Sequence, residues 1–225
     1  MSKKVILVIV LLSVLVVATI AAVYFVQLAP PRVDVGVKVG DTFTYSLQGT
    51  SILIGIDATE PAGFSDINAT DYYKVIITDI NGTSVTMDTI WRFKNGTEET
   101  AVQTINLSNG EKTDKTARGF WQIYAANLNL NDLIRPTGYD GMTVNSTDTK
   151  TYAGGTRERN YFSTQGTFYD IHDPTQSTWR VEYTGVYFDK QTGMMDVLTN
   201  IQEYNNPQYK LIINWNLVDS SVWDV

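Results

Sequence analysis

Residues 73–93 read YKVIITDINGTSVTMDTIWRF, and their pattern of apolar and turn residues indicates the fold class. Apolar side chains recur at alternate positions over 73–77 and 85–93, on either side of the dipeptide Asn81-Gly82. A period of two places such side chains on one face of a strand, and Asn-Gly is typical of tight hairpin turns. The stretch therefore predicts an antiparallel β-hairpin.

Similar patterns extend the hairpin in both directions. Asn95-Gly96 and Asn109-Gly110 are further turn dipeptides, so residues 72–108 are predicted to form an antiparallel meander. In the last third of the chain, Trp179, Val181 and Tyr183 alternate with polar residues, a reverse turn is indicated over 189–193, and alternation resumes over 211–217. These features predict a second antiparallel meander.

The patterns together predict a mainly β domain over residues 35–225, as an antiparallel sandwich or a partly open barrel. The domain opens with alternation over 37–45 around the turn or bulge dipeptide Gly40-Asp41. Residues 119–134 fit either a helix or a strand, and we favour a strand followed by a loop. No clear amphipathic helix is evident in the domain.

An uncharged segment runs from Val5 to Leu28 at the start of the chain. Its 24 residues would form a helix about 36 Å long, enough to cross a hydrocarbon core of about 30 Å. The alternative is a cleaved signal peptide, but those have shorter apolar cores and a small-residue cleavage site. We therefore expect a retained transmembrane anchor that contacts the lipid bilayer through residues 5–28.

The basic residues around this segment indicate its orientation. Lys3 and Lys4 precede it, whereas Pro30, Pro31 and the single Arg32 follow it. The positive-inside rule then leaves residues 1–4 as a cytoplasmic stub, residues 29–34 as a spacer, and residues 35–225 outside the cytoplasm. The expected localisation is a single-pass protein of the cell membrane.

The composition excludes several classes of function. The chain has no cysteine, so it forms no disulfide and offers no site for a lipoprotein's lipid. Its formal net charge is -7 and its basic residues are dispersed, whereas a nucleic-acid-binding surface requires clustered Lys and Arg. Nucleic acid is therefore not an expected partner.

The only histidine, His172, stands between two carboxylates in the stretch Tyr169–Pro174. Asp170, His172 and Asp173 are residue types that bind zinc or act in general-base catalysis, but an Asp-Pro dipeptide is typical of a loop. No nucleophile elbow or phosphate-binding loop is present, and Gly154-Gly155 is better explained as a turn. We therefore expect no catalytic, metal or cofactor site and no enzyme activity.

Five Asn-x-Ser/Thr sequons lie beyond the predicted anchor, where N-glycosylation takes place. The candidate glycosylation sites are Asn68, Asn81, Asn95, Asn106 and Asn145.

Four short motifs carry a family resemblance: VGDTF at 39–43, ANL at 126–128, YAGGTRE at 152–158 and YFDKQTGM at 187–194. In these motifs the chain resembles uncharacterised archaeal membrane-anchored surface proteins, and the resemblance implies an extracellular, β-rich protein without naming an activity. The last motif is also similar to a hairpin of half-barrel lipoprotein carriers, which hold acyl chains. Those carriers close the barrel with helices that this sequence does not indicate.

Two functions follow as expectations. The first is a glycosylated, non-enzymatic surface module that contacts envelope proteins or glycans. The alternative is an extracytoplasmic carrier or sensor of an apolar, lipid-like ligand. A filled core favours the first, whereas an apolar cavity of several hundred Å³ within the sheet favours the second. The aromatic residues are expected mainly in the core, because most of them lie at strand positions; a solvent-exposed group of Trp and Tyr would indicate a platform for sugars.

Overall fold

The computed structural model describes residues 15–19, 33–113 and 119–225. Residues 15–19 are helical and belong to a first unit, Met1–Arg32; the second unit is Val33–Val225. No helix within the described residues has the length and apolar character needed to cross a membrane. Most of the predicted anchor, the whole of the predicted stub and residues 29–32 of the spacer lie outside the described residues.

Antiparallel strands form most of the second unit, as the alternating sequence predicts. One short helix, α1, spans Phe64–Ala69. The strands are β1 (Thr42–Leu53), β2 (Thr70–Asn81), β3 (Ser84–Phe93), β4 (Glu98–Asn106), β5 (Ser146–Tyr152), β6 (Gly155–Tyr169), β7 (Trp179–Asp189), β8 (Met195–Asn205) and β9 (Gln208–Ser220).

The hairpin predicted from residues 73–93 is confirmed as β2 and β3. Asn81 pairs with Ser84, and Gly82 has a φ of 59°, a left-handed conformation that glycine adopts without strain. The apolar side chains of β3 are buried at every second position. The turns predicted at Asn95-Gly96 and over 189–193 also join consecutive strands, β3 to β4 and β7 to β8.

The nine strands of residues 33–113 and 119–225 form a single antiparallel sheet that is not closed into a barrel. The order is β4-β3-β2-β1-β9-β8-β7-β6-β5, so β4 and β5 are the two edges. The predicted meanders are confirmed, but the sandwich alternative is wrong. The reason is the long pairing of β1 with β9, from Phe43 opposite Ser220 to Leu53 opposite Tyr209, which merges both meanders into one sheet.

The connection from β4 to β5 must cross the sheet, because these strands lie at opposite edges. Its residues 119–144, here called the covering segment, place apolar side chains on one face of the sheet, here called the core face. Phe120 packs against Tyr45 and Tyr73, with ring centroids 5.1 and 6.2 Å apart, and Tyr124 packs against Phe188 at 4.8 Å. The covering segment therefore packs on the core face both at β1 and β2 and at β7.

The strand favoured within residues 119–134 does not form, and neither does the helix. Only isolated bridges occur there, at Ile123 with Met194, at Ala126 with Asp34 and at Leu133 with Thr143. The backbone N–H groups instead bond to the β7–β8 turn: Tyr124 N–H donates to Gly193 O and Asn127 N–H to Lys190 O. These bonds satisfy the buried backbone without a neighbouring strand.

Candidate binding site

The side chains that β7 places on the core face are apolar near the end of the strand and polar near its start. Val186 and Phe188 are buried, but Arg180, Glu182 and Thr184 continue the same face towards the start of the strand. The alternating Trp179, Val181 and Tyr183, which the sequence singles out as the apolar face, therefore point away from the core face. The extended end of the sheet presents polar side chains where a continuous core was expected.

A cavity of about 320 Å³ lies at this end of the sheet, where β6, β7, β8 and β9 meet their connecting loops. Three of its aromatic residues are exposed: Phe168 at 48%, Tyr169 at 51% and Trp179 at 36%. A solvent-exposed aromatic group of this kind indicates a platform for sugars. We call this cavity the tip cavity. Its lining includes Phe168, Tyr169, Trp179, Arg180, Tyr204 and Tyr209.

Three aromatic rings of the tip cavity, those of Phe168, Tyr204 and Tyr209, lie on the same face of the sheet as Arg180. Tyr204 and Tyr209 stack with centroids 4.2 Å apart and planes 16° apart. The guanidinium carbon of Arg180 lies 4.8 Å from the Phe168 ring centroid, and Phe168 lies over Gly166, where an added Cβ would come within 3.2 Å of the ring. The absence of a side chain at Gly166 therefore lets Phe168 lie flat along the strand.

Polar groups of the neighbouring strands fix these side chains. Arg180 Nη2 lies 3.4 Å from Glu182 Oε2, and the Tyr204 hydroxyl donates to Gln202 Oε1 over 2.7 Å. Nε of Arg180 is buried and has no hydrogen-bond partner in the described part of the chain. Burial, with the adjacent Tyr204, raises the pKa of Tyr209 to about 12, so this phenol is a neutral hydrogen-bonding group at physiological pH.

The loop between β6 and β7 forms one wall of the tip cavity, and Asp173 organises it. Asp173 Oδ1 accepts from the N–H and the hydroxyl of Thr175 over 2.9 and 2.6 Å. Its Oδ2 accepts from the Ser177 hydroxyl and the Thr178 N–H, each over 2.7 Å. Hydrogen bonds from Thr175 and Ser177 hold the pKa of Asp173 well below its usual range.

We expect Asp173→Asn to accelerate amide hydrogen exchange at Thr175 and Thr178, because the amide loses the charge that strengthens these bonds. In the wild-type protein the folded-state pKa is lowered, so the loop's stabilisation is complete above the ordinary carboxyl pKa of about 3.9 and is lost as the pH falls through the lower folded value. An NMR titration of the Asp173 carboxyl with a midpoint at or above the ordinary value would contradict this expectation.

The structure places His172 in the same loop but not in a site. His172 is exposed, and its backbone N–H donates to Asp170 Oδ1 over 2.9 Å. Asp173 is committed to the loop contacts described above. Over residues 15–19, 33–113 and 119–225, no group of three His, Cys, Asp or Glu side chains could hold a metal ion.

The five sequon asparagines are distributed along the domain and differ in their contacts. Asn81, Asn95 and Asn145 are exposed at or beside strand ends, whereas Asn106 is half-buried. Nδ2 of Asn68, the atom that a glycan would modify, donates to Gly49 O over 2.9 Å. A glycan would replace one of the two hydrogens on this nitrogen and would crowd its contact with Gly49.

Three of the motifs quoted above meet at the β7–β8 turn and have a structural role there. Arg157 donates two hydrogen bonds to the buried Asp189, over 2.7 and 3.0 Å. Asp189 Oδ1 also accepts from the N–H and hydroxyl of Thr192, each over 2.8 Å, and Lys190 pairs with Glu158 at 3.3 Å. Asn127 N–H also donates to Lys190 O. The three motifs therefore supply the turn itself and the residues that hold it in place.

Comparison of the chain with protein-family models and with curated proteins finds no match in either set.

Proposed function

We propose that this protein is a membrane-anchored, glycosylated, non-enzymatic module outside the cytoplasm that binds glycans of the cell envelope through the tip cavity. The carrying observation is the tip cavity itself, where exposed Phe168 and the stacked pair Tyr204 and Tyr209 lie around Arg180 and the exposed Trp179 also lines the cavity.

The chemistry of the tip cavity suits a sugar. One face of a sugar ring carries mainly C–H groups, which pack against flat aromatic side chains, while its hydroxyls require hydrogen-bonding partners at the rim. Trp179 and Phe168 offer aromatic surface, and Arg180 lies between rings as a donor. Trp, Tyr and Arg are also the side chains that most often dominate binding energy.

The packing of the core supports this function over the carrier of an apolar ligand. Phe120 and Ile123 of the covering segment are at most 1% exposed and occupy part of the core face. A cavity of about 300 Å³ remains beside the covering segment, but charged side chains of Lys112, Arg135 and Asp140 line it, which does not suit an acyl chain. The uncharged run from Val5 to Leu28 and the sequons support the proposed location.

We expect Trp179→Ala to weaken oligosaccharide binding at least about tenfold, because it removes an exposed aromatic surface that lines the tip cavity. The measurement is a glycan array with the full chain in detergent, displaying cellotriose, maltotriose, chitotriose and glycans released from the native envelope, followed by calorimetry. The matched control is Tyr139→Ala, because Tyr139 is fully exposed outside the tip cavity. Equal binding by both variants would contradict the assignment.

The proposed location has its own test in mass spectrometry of the native membrane fraction. We expect the N-terminal peptide with Lys3 and Lys4 to be retained, and glycan to be attached at Asn81 and Asn95, which are exposed at turns. Occupancy should be lower at Asn68, whose Nδ2 is already hydrogen-bonded. A mature protein that begins after Leu28 would rule out the anchor. Five unmodified asparagines would rule out the glycosylation.

A further inference from the structure

A second cavity, of about 300 Å³, lies where the covering segment crosses β6 and β7. Arg135 of the covering segment lines it and is only 5% exposed. The cavity, here called the Arg135 cavity, is also lined by Lys112, Trp121, Tyr124, Asp140 and Thr184. It uses different residues from the tip cavity and has no part in the proposed glycan contact.

The backbone around Arg135 is shaped to hold this side chain. Its guanidinium carbon lies 4.7 Å from the centroid of the Tyr124 ring. An added Cβ at Gly138 would come within 2.8 Å of the Arg135 Cβ, and one at Gly110 would come within 3.3 Å of Nε. Gly110 also has a φ of 75°, which favours glycine. Arg135 is therefore positioned by glycines on two sides and an aromatic ring on another.

The guanidinium of Arg135 is poorly paired for a buried charge. It donates to Leu107 O over 3.4 Å and to Trp121 O over 3.5 Å, which are long bonds, although a guanidinium has five N–H donors. In the part of the chain that the structure describes, no carboxylate forms an ion pair with it. Burying an uncompensated charge is costly, so a counter-ion from solution would stabilise this arrangement.

Unlike Arg135, the buried carboxylates Asp189 and Asp196 have close partners of opposite charge. Asp189 is paired with Arg157, and Asp196 with both Lys150 and Arg159, at 2.6 to 3.2 Å. The chain thus supplies charged partners in direct contact with these groups, but no carboxylate of the described residues lies within ion-pair distance of Arg135.

The remaining charges of the Arg135 cavity favour an anion. Nζ of Lys112 lies 4.7 Å from the Trp121 ring centroid, and Lys112 and Arg135 line the cavity together with the single carboxylate of Asp140. Burial, and the charge of Arg135, lower the pKa of Lys112, as expected for two cations near each other. Two positive groups and one negative group leave a net positive cavity.

We propose that the Arg135 cavity binds the oxyanion group, carboxylate or phosphate, of a small ligand about the size of a monosaccharide. The planar fork of a guanidinium matches two oxygens of either group, and Lys112 supplies a second charge at the rim. Trp121 and Tyr124 supply aromatic surface for the rest of the ligand, and the volume is at the lower end for small-molecule sites.

The test is calorimetric titration of the full chain with glucuronate and with inorganic phosphate, and with glucose as the uncharged comparison. We expect either anion to bind and glucose to bind at least about tenfold more weakly, because charge-assisted hydrogen bonds are lost. The anion that binds more tightly shows whether the cavity prefers a carboxylate or a phosphate group. Arg135→Met should weaken binding at least about tenfold, whereas Arg92→Met, at an exposed pair with Glu98, should leave it unchanged.

A thermal melt separates a binding role from a structural role. Methionine keeps most of the packing on Tyr124 without the charge, so Arg135→Met should melt at or above the wild-type temperature, and the anion should raise only the wild-type value. If this variant does not fold, Lys112→Met provides the same comparison at the rim. The proposal is overturned if neither anion binds at up to about 10 mM, or if neither the Arg135 nor the Lys112 variant weakens binding.

Discussion

Gly193→Ala is expected to lower the free energy of unfolding by about 3–5 kcal/mol, a large fraction of the stability of an ordinary domain. Gly193 has a φ of 75°, and a Cβ there would lie 2.0 Å from the carbonyl oxygen of Tyr124. The methyl group would push the covering segment off the β7–β8 turn and break the bond from Tyr124 N–H to Gly193 O. Urea unfolding followed by circular dichroism measures the change.

Gly96→Ala is the matched control for this prediction. Gly96 has a φ of 88° in the β3–β4 turn, but nothing lies within 4 Å of an added Cβ. It therefore carries the backbone penalty of about 1–2 kcal/mol without the collision. Equal losses for the two variants would show that the covering segment is not locked against the turn.

Asp189→Asn is expected to cost about 3–5 kcal/mol, because it leaves Arg157 largely buried without its counter-charge. The side chain of Arg157 is 17% exposed and that of Asp189 is 1% exposed. The asparagine would also weaken the bonds that Asp189 accepts from the turn at Thr192. The loss is measured by the same urea unfolding, and tryptophan fluorescence should report it as well, since Arg157 stacks on Trp223.

Glu203→Gln is the comparison for a surface pair. Glu203 accepts from Lys210 over 2.7 Å but is 56% exposed, so the change should cost less than about 1 kcal/mol. If Asp189→Asn cost no more than this, the account of the turn as a buried, charge-held junction would be wrong.

The turns and apolar strands were predictable because local residues dictate them. Asn81-Gly82 and the alternation on either side require only a hairpin and one buried face. By contrast, β5 and β6 were not predicted, because residues 146–160 carry few apolar side chains. Their pairing uses charges instead: Arg159 contacts Asp148 on the neighbouring strand at 2.7 Å.

The covering segment and the two cavities depend on contacts that are distant in sequence. Nothing local in residues 119–134 indicates that they span the sheet, since that follows from β4 and β5 being opposite edges. Likewise, Trp179 occupies a strand position typical of a core residue, and only the fold shows that it is the first residue of β7 and points away from the core face. Arg135 carries no motif, and its burial is apparent only in the fold.

The most direct test of glycan binding at the tip cavity is an NMR titration of the full chain in detergent with the oligosaccharide that binds best on the array. The indole N–H of Trp179 should shift in proportion to occupancy, while those of the buried Trp91 and Trp223 should remain in place. That result would place the sugar in the tip cavity. A saturable titration that shifts other residues and leaves Trp179 unchanged would contradict the proposed glycan-binding site.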